Sequence, residues 1–443
     1  MDPGRGIKQA RDQSGESNVA TFLGDLKHNE RRTLYACFGG WALDSFDVNL
    51  YALVIPTLLA TLNFTLPQAG VLATSALLLS AVGGWFAGTL ADKYGRVRVL
   101  QITILWFAFF TFLAGFCNTF GQFFVVRALQ GLGFGGEWAA GAVLIGEVIQ
   151  SKYRGRAVGV VQSGWAVGWG GATLVFAIVF SLLPQEIAWR VLFWTGLLPA
   201  LLVVYIRRFV DEPEIFEKSR AADKDGAPAK LLQIFSRENI RLTVLTSLLT
   251  TGAQGGYYTV NTWLPTFLRT EKKLTVLGSS GYLAFVIIGA FCGFIACAWL
   301  ADTIGRKRTF LLMALCAGLV VVVYMLAPIT DSVMLLLGFP LGFFANGLFA
   351  PMGAYLTELF PTNIRATNQG FSYNAGRAIG ALFPATIGYL GQAMGLGMAI
   401  GIFTVTAYLF ILVALAMLPE TLGRELREPA LAQPVRQNAV IAG

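Results

Sequence analysis

Long apolar stretches separated by short polar breaks recur along most of the chain. Their length is close to the roughly 20 residues that an α-helix needs to cross the hydrocarbon core of a bilayer. A segment rich in Lys, Arg, Asp and Glu, residues 207–241, interrupts the series halfway. The pattern predicts twelve transmembrane helices, six on each side of that segment, at 33–60, 69–91, 97–117, 121–147, 157–183, 190–206, 242–268, 279–301, 309–329, 333–357, 367–391 and 396–418.

Three sequence motifs of the first half return in the second half with a nearly constant offset. "GTLADKYGRVR" (88–98) returns as "AWLADTIGRKR" (298–308), "PTLL" (56–59) as "PTFL" (265–268), and the pair Glu147 and Arg154 as Glu358 and Arg365. Such a repeat is the architecture of a secondary transporter. We therefore expect an all-α polytopic membrane protein with two pseudo-symmetric six-helix bundles. The predicted parts are an N-terminal tail (1–32), a first bundle (33–206), a linker (207–241), a second bundle (242–418) and a C-terminal tail (419–443).

The composition supports a membrane protein and argues against other classes. Of the 443 residues, 55% are hydrophobic and only 13% are charged. The net charge of +8 arises from Lys and Arg residues that fall mostly on one side of the predicted bundle. The positive-inside rule then puts both termini in the cytoplasm, so the charge reports topology and not a nucleic-acid partner. The five cysteines have no metal-ligand spacing, and no nucleophile and base are suitably placed, so we expect no metal, no cofactor and no enzyme.

Charged side chains inside the predicted helices call for an explanation, because burying a charge in a membrane costs about 2.5–3.5 kcal/mol or more. Asp44 and Asp47 are the only charged residues between Arg32 and Asp92. Arg127 lies in the fourth predicted helix and Arg377 in the eleventh. A helical rise of about 1.5 Å per residue puts Asp47 and Arg127 at nearly the same depth, and Arg377 near the midplane.

Several motifs resemble the major facilitator superfamily. Asp92, Gly95 and Arg96 in the loop at 88–98 are similar to its signature between helices 2 and 3, and "VVRALQGLG" (125–133) is similar to its helix-4 motif. "LDSFD" (43–47) and "RALQGLGFGGEWAAG" (127–141) resemble the proton symporters for organic acids. The sialate and lactate branch is the nearest, also through "YNAGR" (373–377), with the aromatic-acid branch close behind. Those branches usually have a glycine where this chain has Ser45.

The resemblance and the chemistry together assign three groups of candidate residues. A carboxylate between a like charge and an arginine can bind and release a proton, and this predicts proton coupling by Asp44, Asp47, Arg127 and Glu137. A guanidinium presents a planar fork that fits a carboxylate, so we expect substrate binding by Arg377 with Asn374, Asn261, Tyr257 and Trp138. In the superfamily, charge clusters at the cytoplasmic edge close one state. That role is expected for Asp92, Gly95, Arg96, Glu147, Arg154, Asp302, Arg306, Glu358 and Arg365.

These assignments predict a secondary transporter in the plasma membrane, the inner membrane of a bacterium. It would take up an organic-acid anion, a monocarboxylate, together with protons by alternating access. Its partners would be that anion, protons and the lipid bilayer, and a monomer is the usual form in the superfamily. An aromatic-acid or sugar-acid symporter, a proton-driven efflux antiporter and a transport-derived sensor stay open as alternatives. The buried charges and amides could also serve only to hold helices together.

Overall fold

The computed structural model describes residues 24–149, 154–209, 233–360 and 364–422, and these residues form helices joined by short turns. Each of the twelve predicted spans corresponds to one helix or to a broken pair. The helices are α1 (His28–Thr61), α2 (Leu66–Tyr94), α3 (Arg96–Ala114), α4 (Phe120–Val148), α5 (Arg154–Leu182), α6a (Gln185–Trp194), α6b (Pro199–Phe209), α7 (Ile240–Thr270), α8 (Val276–Ile304), α9 (Arg306–Leu326), α10a (Asp331–Gly347), α10b (Met352–Leu359), α11a (Arg365–Gly380), α11b (Phe383–Met394) and α12 (Leu396–Met417).

Three of the twelve predicted spans are interrupted in the structure, and a proline lies at or next to each break. Pro199 begins α6b after a 3₁₀ turn, Pro351 precedes α10b, and Pro384 is the second residue of α11b. Proline has no N–H to donate, and its ring clashes with the carbonyl four residues earlier. Pro56 and Pro265, by contrast, lie inside the uninterrupted helices α1 and α7. An apolar run alone does not distinguish these two outcomes.

The first helix begins five residues before the predicted span. Its N-terminal turn is polar, and the backbone N–H of Lys27 donates to Glu30 Oε2 at 2.7 Å, which caps the helix. An apolar-run criterion misses such a turn because the stabilising contact is a hydrogen bond and not burial of apolar surface.

The internal repeat is visible in the backbone. Gly95 joins α2 to α3 with φ of +108°, and Gly305 joins α8 to α9 with φ of +105°. Few residues other than glycine adopt this region without strain. The two copies of the loop motif therefore form the same turn in the two halves.

The two halves, α1–α6b and α7–α12, make their closest contacts at one end. We call the end next to the undescribed segment 210–232 the linker side and the opposite end the distal side. Toward the distal side, Gly70 of α2 lies against the carbonyl of Pro384, and Gly388 of α11b lies against the carbonyl of Leu66. A single apolar cluster there contains residues of both halves. Toward the linker side the apolar residues separate into two clusters, one mainly in the first half and one in the second.

A threonine of the first half also supplies hydrogen bonds to the backbone at the break in α11. Thr74 Oγ1 donates to the carbonyl of Ala381 at 2.6 Å and accepts from the N–H of Ala385 at 3.1 Å. A helix break leaves backbone groups without intrahelical partners, and at membrane depth these need protein partners. The α2–α11 contact is therefore specific as well as close.

Within the described residues, nine helical segments are long and apolar enough to cross a membrane by length and composition. The segment of α4, many of whose side chains lie outside the described ones, is not among them, and neither are the segments of α7 and α11. Both carry several polar residues, and α7 is buried along most of its length. A helix surrounded by protein does not need a fully apolar surface. The helices α7 and α11 can therefore contribute polar residues to a site inside the protein.

Candidate functional site

A cavity lies between the two halves, and the space between its walls, including the part that is open to solvent, is about 500 Å³. Aromatic side chains form most of its wall: Trp41, Phe134, Trp165, Tyr257, Tyr258, Phe294, Phe349 and Tyr373. The other residues of the wall are Val48, Gln162, Gln254, Asn346 and Arg377.

Arg377 is the single charged residue among the described residues of the cavity wall. Its side chain is 2% exposed, and the guanidinium hydrogen-bonds to the hydroxyls of Tyr258 and Tyr373. Its central carbon lies 5.4 Å from the ring centre of Phe134 and 5.2 Å from that of Tyr373. The sequence identified this residue correctly as a buried cation, and the structure adds the aromatic faces that accompany it.

Tyr257, a candidate substrate-binding residue, also lies in the cavity wall, and it contacts the opposite half. Trp165 Nε1 of α5 donates to the Tyr257 hydroxyl of α7 at 2.6 Å. The rings of Trp41 and Trp165 are 4.8 Å apart, and those of Tyr257 and Phe349 are 5.5 Å apart. The aromatic wall is therefore continuous from one half to the other.

Amide side chains supply the remaining polarity of the cavity. Gln254 is fixed on both sides, because its Nε2 donates to the carbonyl of Tyr373 at 2.8 Å and its Oε1 accepts from the Tyr258 hydroxyl at 2.9 Å. Asn346 donates to the carbonyl of Gly342, while its buried Oδ1 has no hydrogen-bond partner in the described structure. Sequence reasoning missed Gln254. Its spacing of three and four residues from the two tyrosines on α7 was the available signal.

The two predicted asparagines lie at helix contacts and not on the cavity wall. Asn374 Nδ2 donates to the carbonyl of Gly370, and its Oδ1 lies next to Gly84 of α2. Asn261 Nδ2 of α7 donates to Asn49 Oδ1 of α1 at 2.9 Å. This placement favours the helix-bridging alternative for both residues. Trp138 and Glu137 lie outside the residues whose side chains the structure describes.

The carboxylates of the first span are deeply buried inside the first half. Asp44 is 0% exposed and Asp47 is 1% exposed, and neither forms part of the cavity wall. Trp41 and Val48 of the same helix do form part of it. Both acids therefore lie on a helix that lines the cavity, and Asp47 is turned toward α3 of its own bundle.

A chain of hydrogen bonds connects Asp47 to Arg127. Thr111 Oγ1 donates to Asp47 Oδ2 at 2.8 Å, and Gln130 Nε2 donates to Thr111 Oγ1 at 2.6 Å. Arg127 completes the chain by donating from one Nη to Gln130 Oε1 at 2.5 Å. The charges of Asp47 and Arg127 also attract each other across this chain. The sequence identified the two charged members and missed the two neutral ones.

Ser45, where this chain departs from the related symporters, has a structural role. Its Oγ donates to the backbone carbonyl of Trp165 at 2.6 Å, and the Asn49 amide donates to the carbonyl of Ser45 at 2.6 Å. A Cβ added at Gly168 would meet the carbonyl of Ala42 and the Cβ of Ser45. The serine therefore joins α1 to the cavity-lining part of α5, and the glycine opposite makes the approach possible.

The second copy of the predicted charge cluster is present on the linker side. Arg306 pairs with Asp302 at 2.9 Å and with Glu358 at 3.0 Å. Arg365, the fourth predicted member, donates to the carbonyl of Phe360 at 3.3 Å. In the first copy the structure describes Gly95, while the side chains of Asp92, Arg96, Glu147 and Arg154 fall outside the described ones.

The short segment after α12 belongs to the same cluster. Glu420 accepts from the backbone N–H of Arg306 at 2.9 Å and so caps the start of α9, and Thr421 Oγ1 donates to Glu358 Oε2 at 2.6 Å. Burial raises the pKa of Glu420, but hydrogen bonds from the backbone around Thr421, Leu422, Lys307 and Arg306 outweigh it and bring the pKa below its ordinary value of 4.5. The carboxylate is therefore ionised when it caps the helix.

Comparison with known proteins gives the family. The Major Facilitator Superfamily profile matches residues 37–384 and 297–440. The chain is 46% identical over 396 residues to a probable 4-methylmuconolactone transporter of Cupriavidus pinatubonensis, covering 89% of this chain and 91% of that protein. It is 32% identical over 365 residues to a cis,cis-muconate transport protein of Acinetobacter baylyi, with coverage of 81% and 87%.

Among solved structures, the inward-open xylose transporter XylE of E. coli is similar in fold. The TM-score is 0.70 at 19% identity, and the alignment covers 89% of this chain and 97% of that one. At this identity the likeness concerns the fold alone. The profile and the relatives together show that the chain belongs to the Major Facilitator Superfamily and is a multi-pass membrane transporter, not an enzyme.

Proposed function

We propose that this protein is a proton-coupled symporter that takes up a small organic-acid anion, a monocarboxylate, by alternating access. The observation that carries the proposal is Arg377, a buried guanidinium on the wall of an aromatic cavity between the two halves. A buried cation is costly unless an anion accompanies it, and a carboxylate fits the guanidinium fork. The cavity therefore suits a cargo with one negative charge.

The side chains of the cavity wall limit the kinds of substrate that fit. Aromatic side chains predominate around Arg377, and these favour a flat, unsaturated or aromatic body over a hydroxyl-rich sugar acid. The relative named for 4-methylmuconolactone, a compound with one carboxylate, supports an organic acid of this kind. The relative named for cis,cis-muconate, a dicarboxylate, supports the unsaturated body but not the single charge. Asn346, with its unpartnered buried oxygen, offers a further polar contact. We therefore rank an unsaturated or aromatic carboxylate ahead of a sialate-sized acid.

Asp47 is the proposed proton carrier, with Asp44 one turn away on the same face of α1. Both side chains are buried, and burial favours the neutral form of a carboxylate. Such a group binds and releases a proton easily only if nearby groups favour the charged form by a similar amount. Arg127, linked through Gln130 and Thr111, supplies that balance. Trp41 and Val48 of the same helix form part of the cavity wall. Protonation of Asp47 would therefore affect the bound substrate through α1.

Coupling follows if the empty and the fully loaded carriers reorient and the half-loaded ones do not. One proton with one monocarboxylate is electroneutral, so a pH difference drives uptake by about 1.4 kcal/mol per unit. The charge cluster of Arg306, Asp302 and Glu358, with its counterpart in the first half, would close the linker side in one state and open in the other.

The proposed orientation has the linker side in the cytoplasm, with both termini there, in the inner membrane of a bacterium. The distribution of Lys and Arg supports this orientation. The shared apolar cluster would then seal the cavity from the outside. A monomer is sufficient, since the cavity is formed by the two halves of one chain.

Proteoliposomes with a pH dye in the lumen test the proposal. cis,cis-Muconate, benzoate, lactate and sialate are added outside at equal pH, with neutral benzamide as the uncharged control and protein-free liposomes as the control for passive entry. A symporter acidifies the lumen when a carboxylate enters, and benzamide has no effect. If every carboxylate leaves the lumen unchanged, the proposal fails. If the lumen becomes alkaline, the protein is instead a proton antiporter, the efflux alternative.

A further inference from the structure

The hydroxyl of Thr111 occupies the centre of the buried network in the first half. It lies 2.8 Å from Asp47 Oδ2, 2.9 Å from the carbonyl of Phe107 and 2.6 Å from Gln130 Nε2. Thr111 is 0% exposed, so water does not substitute for these partners. Neither the family motifs nor the charge pattern of the sequence draws attention to this residue.

A hydroxyl has one hydrogen to donate and two lone pairs to accept with, and the three neighbours of Thr111 use all of them only when Asp47 carries a proton. When Asp47 is ionised, the Thr111 hydrogen points to its carboxylate, and the Gln130 amide donates to the Thr111 oxygen. When Asp47 carries a proton, Asp47 donates that proton to the Thr111 oxygen, and the Thr111 hydrogen turns to the Phe107 carbonyl. Both states are satisfied without moving a heavy atom.

Gln130 gives the network a fixed direction. Its Oε1 accepts from Arg127 and its Nε2 donates to Thr111, so reversing the amide would break both bonds. Arg127 is also positioned by Tyr51, with its central carbon 4.3 Å from the centre of that ring. The position of the guanidinium is therefore tied to the hydroxyl that contacts Asp47.

The surroundings leave little room for other arrangements. A Cβ added at Gly196, in the turn between α6a and α6b, would meet Thr111 Cγ2 and lie 3.0 Å from Asp47 Oδ1. Among the described residues, Asp44 and Tyr51 lie about one turn from Asp47 on α1, and the charge of Arg127 on α4 interacts with Asp47 and with Tyr51. The described contacts from α3 and α6 are Thr111 and Gly196, which are uncharged. Proton binding at Asp47 therefore changes the hydrogen bonding of a small group of tightly packed side chains.

We propose that Thr111 is a positioning residue for proton coupling: its hydroxyl turns between Asp47 and the Phe107 carbonyl as Asp47 gains and loses the transported proton. This inference rests on the proposed function, in which Asp47 carries that proton. The proton binds to and leaves the Asp47 carboxylate only, and Thr111 keeps its own hydrogen throughout. Gln130 relays the change to Arg127.

The test compares Thr111→Val, which has nearly the same shape and no hydroxyl, with Thr111→Ser, which retains it. Proteoliposome uptake of the best carboxylate from the dye assay is measured as a function of pH. Without the hydroxyl, ionised Asp47 loses a charge-assisted hydrogen bond, which is stronger than a neutral one. We expect T111V to move the midpoint of the pH profile upward by about one unit, and its uptake driven by a pH gradient to fall about tenfold. T111S should keep the wild-type midpoint.

Equal midpoints for T111V, T111S and the wild type would overturn the inference. Counterflow, in which labelled and unlabelled substrate exchange without net proton movement, reports whether each variant is folded. If T111V does not fold, Thr111→Ala is measured instead, with the same expected direction. Asp47→Asn separates the two proposals. If that variant still accumulates substrate, the proton assignment itself is wrong, whereas loss of accumulation with unshifted Thr111 variants refutes only the role of Thr111.

Discussion

Trp165 and Tyr257 form a hydrogen bond across the cavity, with the indole Nε1 of α5 donating to the hydroxyl of α7 at 2.6 Å. The two residues belong to different halves of the protein, and both contribute to the cavity wall. Any motion that separates the halves at this level must break the bond, and any substrate that fills the cavity must pack beside it. We therefore expect the pair to join substrate recognition to the conformational cycle.

Tyr257→Phe is expected to raise the KM several-fold and to reduce stability by about 1 kcal/mol, because the buried Trp165 N–H loses its partner. Initial uptake rates and thermal unfolding in detergent measure the two effects. Tyr282→Phe is the matched control, since its hydroxyl donates to the backbone of Asp331 away from the cavity. Equal changes in KM for the two variants would contradict a role for the bond in substrate binding.

Arg377 should not tolerate even a conservative replacement. Arg377→Lys retains the charge but loses the planar fork and its contacts with the aromatic rings, so we expect KM to rise about tenfold. Arg377→Gln should abolish specific binding, because it removes the charge altogether. Substrate binding by calorimetry or tryptophan fluorescence measures both. Arg241→Lys, at an exposed position on α7, is the control and should bind like the wild type.

Ser45→Ala tests the serine that distinguishes this chain from the related symporters. The change leaves the Trp165 carbonyl without its side-chain donor, and we expect a loss of about 1 kcal/mol of stability, seen as a lower Tm. Ser163→Ala on α5 is the matched control, because the described hydrogen bond of Ser163 goes to the carbonyl of Val160 within its own helix. If the two variants have the same Tm, the α1–α5 contact does not depend on Ser45.

The lowered pKa of Glu420 predicts that the stability of the linker side depends on pH. Because its pKa in the folded protein lies below the ordinary value of 4.5, its stabilising contribution is complete above that pH and is lost as the pH falls through the lower, folded-state pKa. Glu420→Gln should therefore lower the Tm at pH 7, and the difference from the wild type should shrink on acidification below pH 4.5. Glu186→Gln, at an exposed position, is the control. A difference that does not vary with pH would refute the assignment.

The sequence was sufficient for the number and order of the spans, because each is a long apolar run, but not for their breaks. Pro56 and Pro384 look alike in a hydropathy pattern, yet α1 continues through the first and α11 is interrupted beside the second. The difference depends on tertiary partners: Thr74 of α2 bonds to the backbone at the α11 break. Such a partner lies far away in the chain and leaves no local signal.

The charged residues of the candidate site could be predicted from the sequence, whereas most of its neutral polar residues could not. Helical rise put Asp47 and Arg127 at one depth, and the structure connects them, because a buried charge must find a partner. Thr111 and Gln130 escaped notice, since neutral polar residues are common in membrane helices and depth alone does not fix the rotation of a helix. The same limit applies to Asn374, which shares α11a with Arg377 but contacts α2 instead of the cavity.

The most direct test of the account is the accumulation of substrate by the Asp47→Asn variant in proteoliposomes with an imposed pH gradient, compared with its counterflow. Asparagine nearly preserves the shape of the carboxylate but cannot bind and release the proton. We expect accumulation against a gradient to vanish while counterflow continues. Undiminished accumulation by Asp47→Asn would show that proton coupling lies elsewhere in the protein and would contradict the mechanism proposed for this transporter.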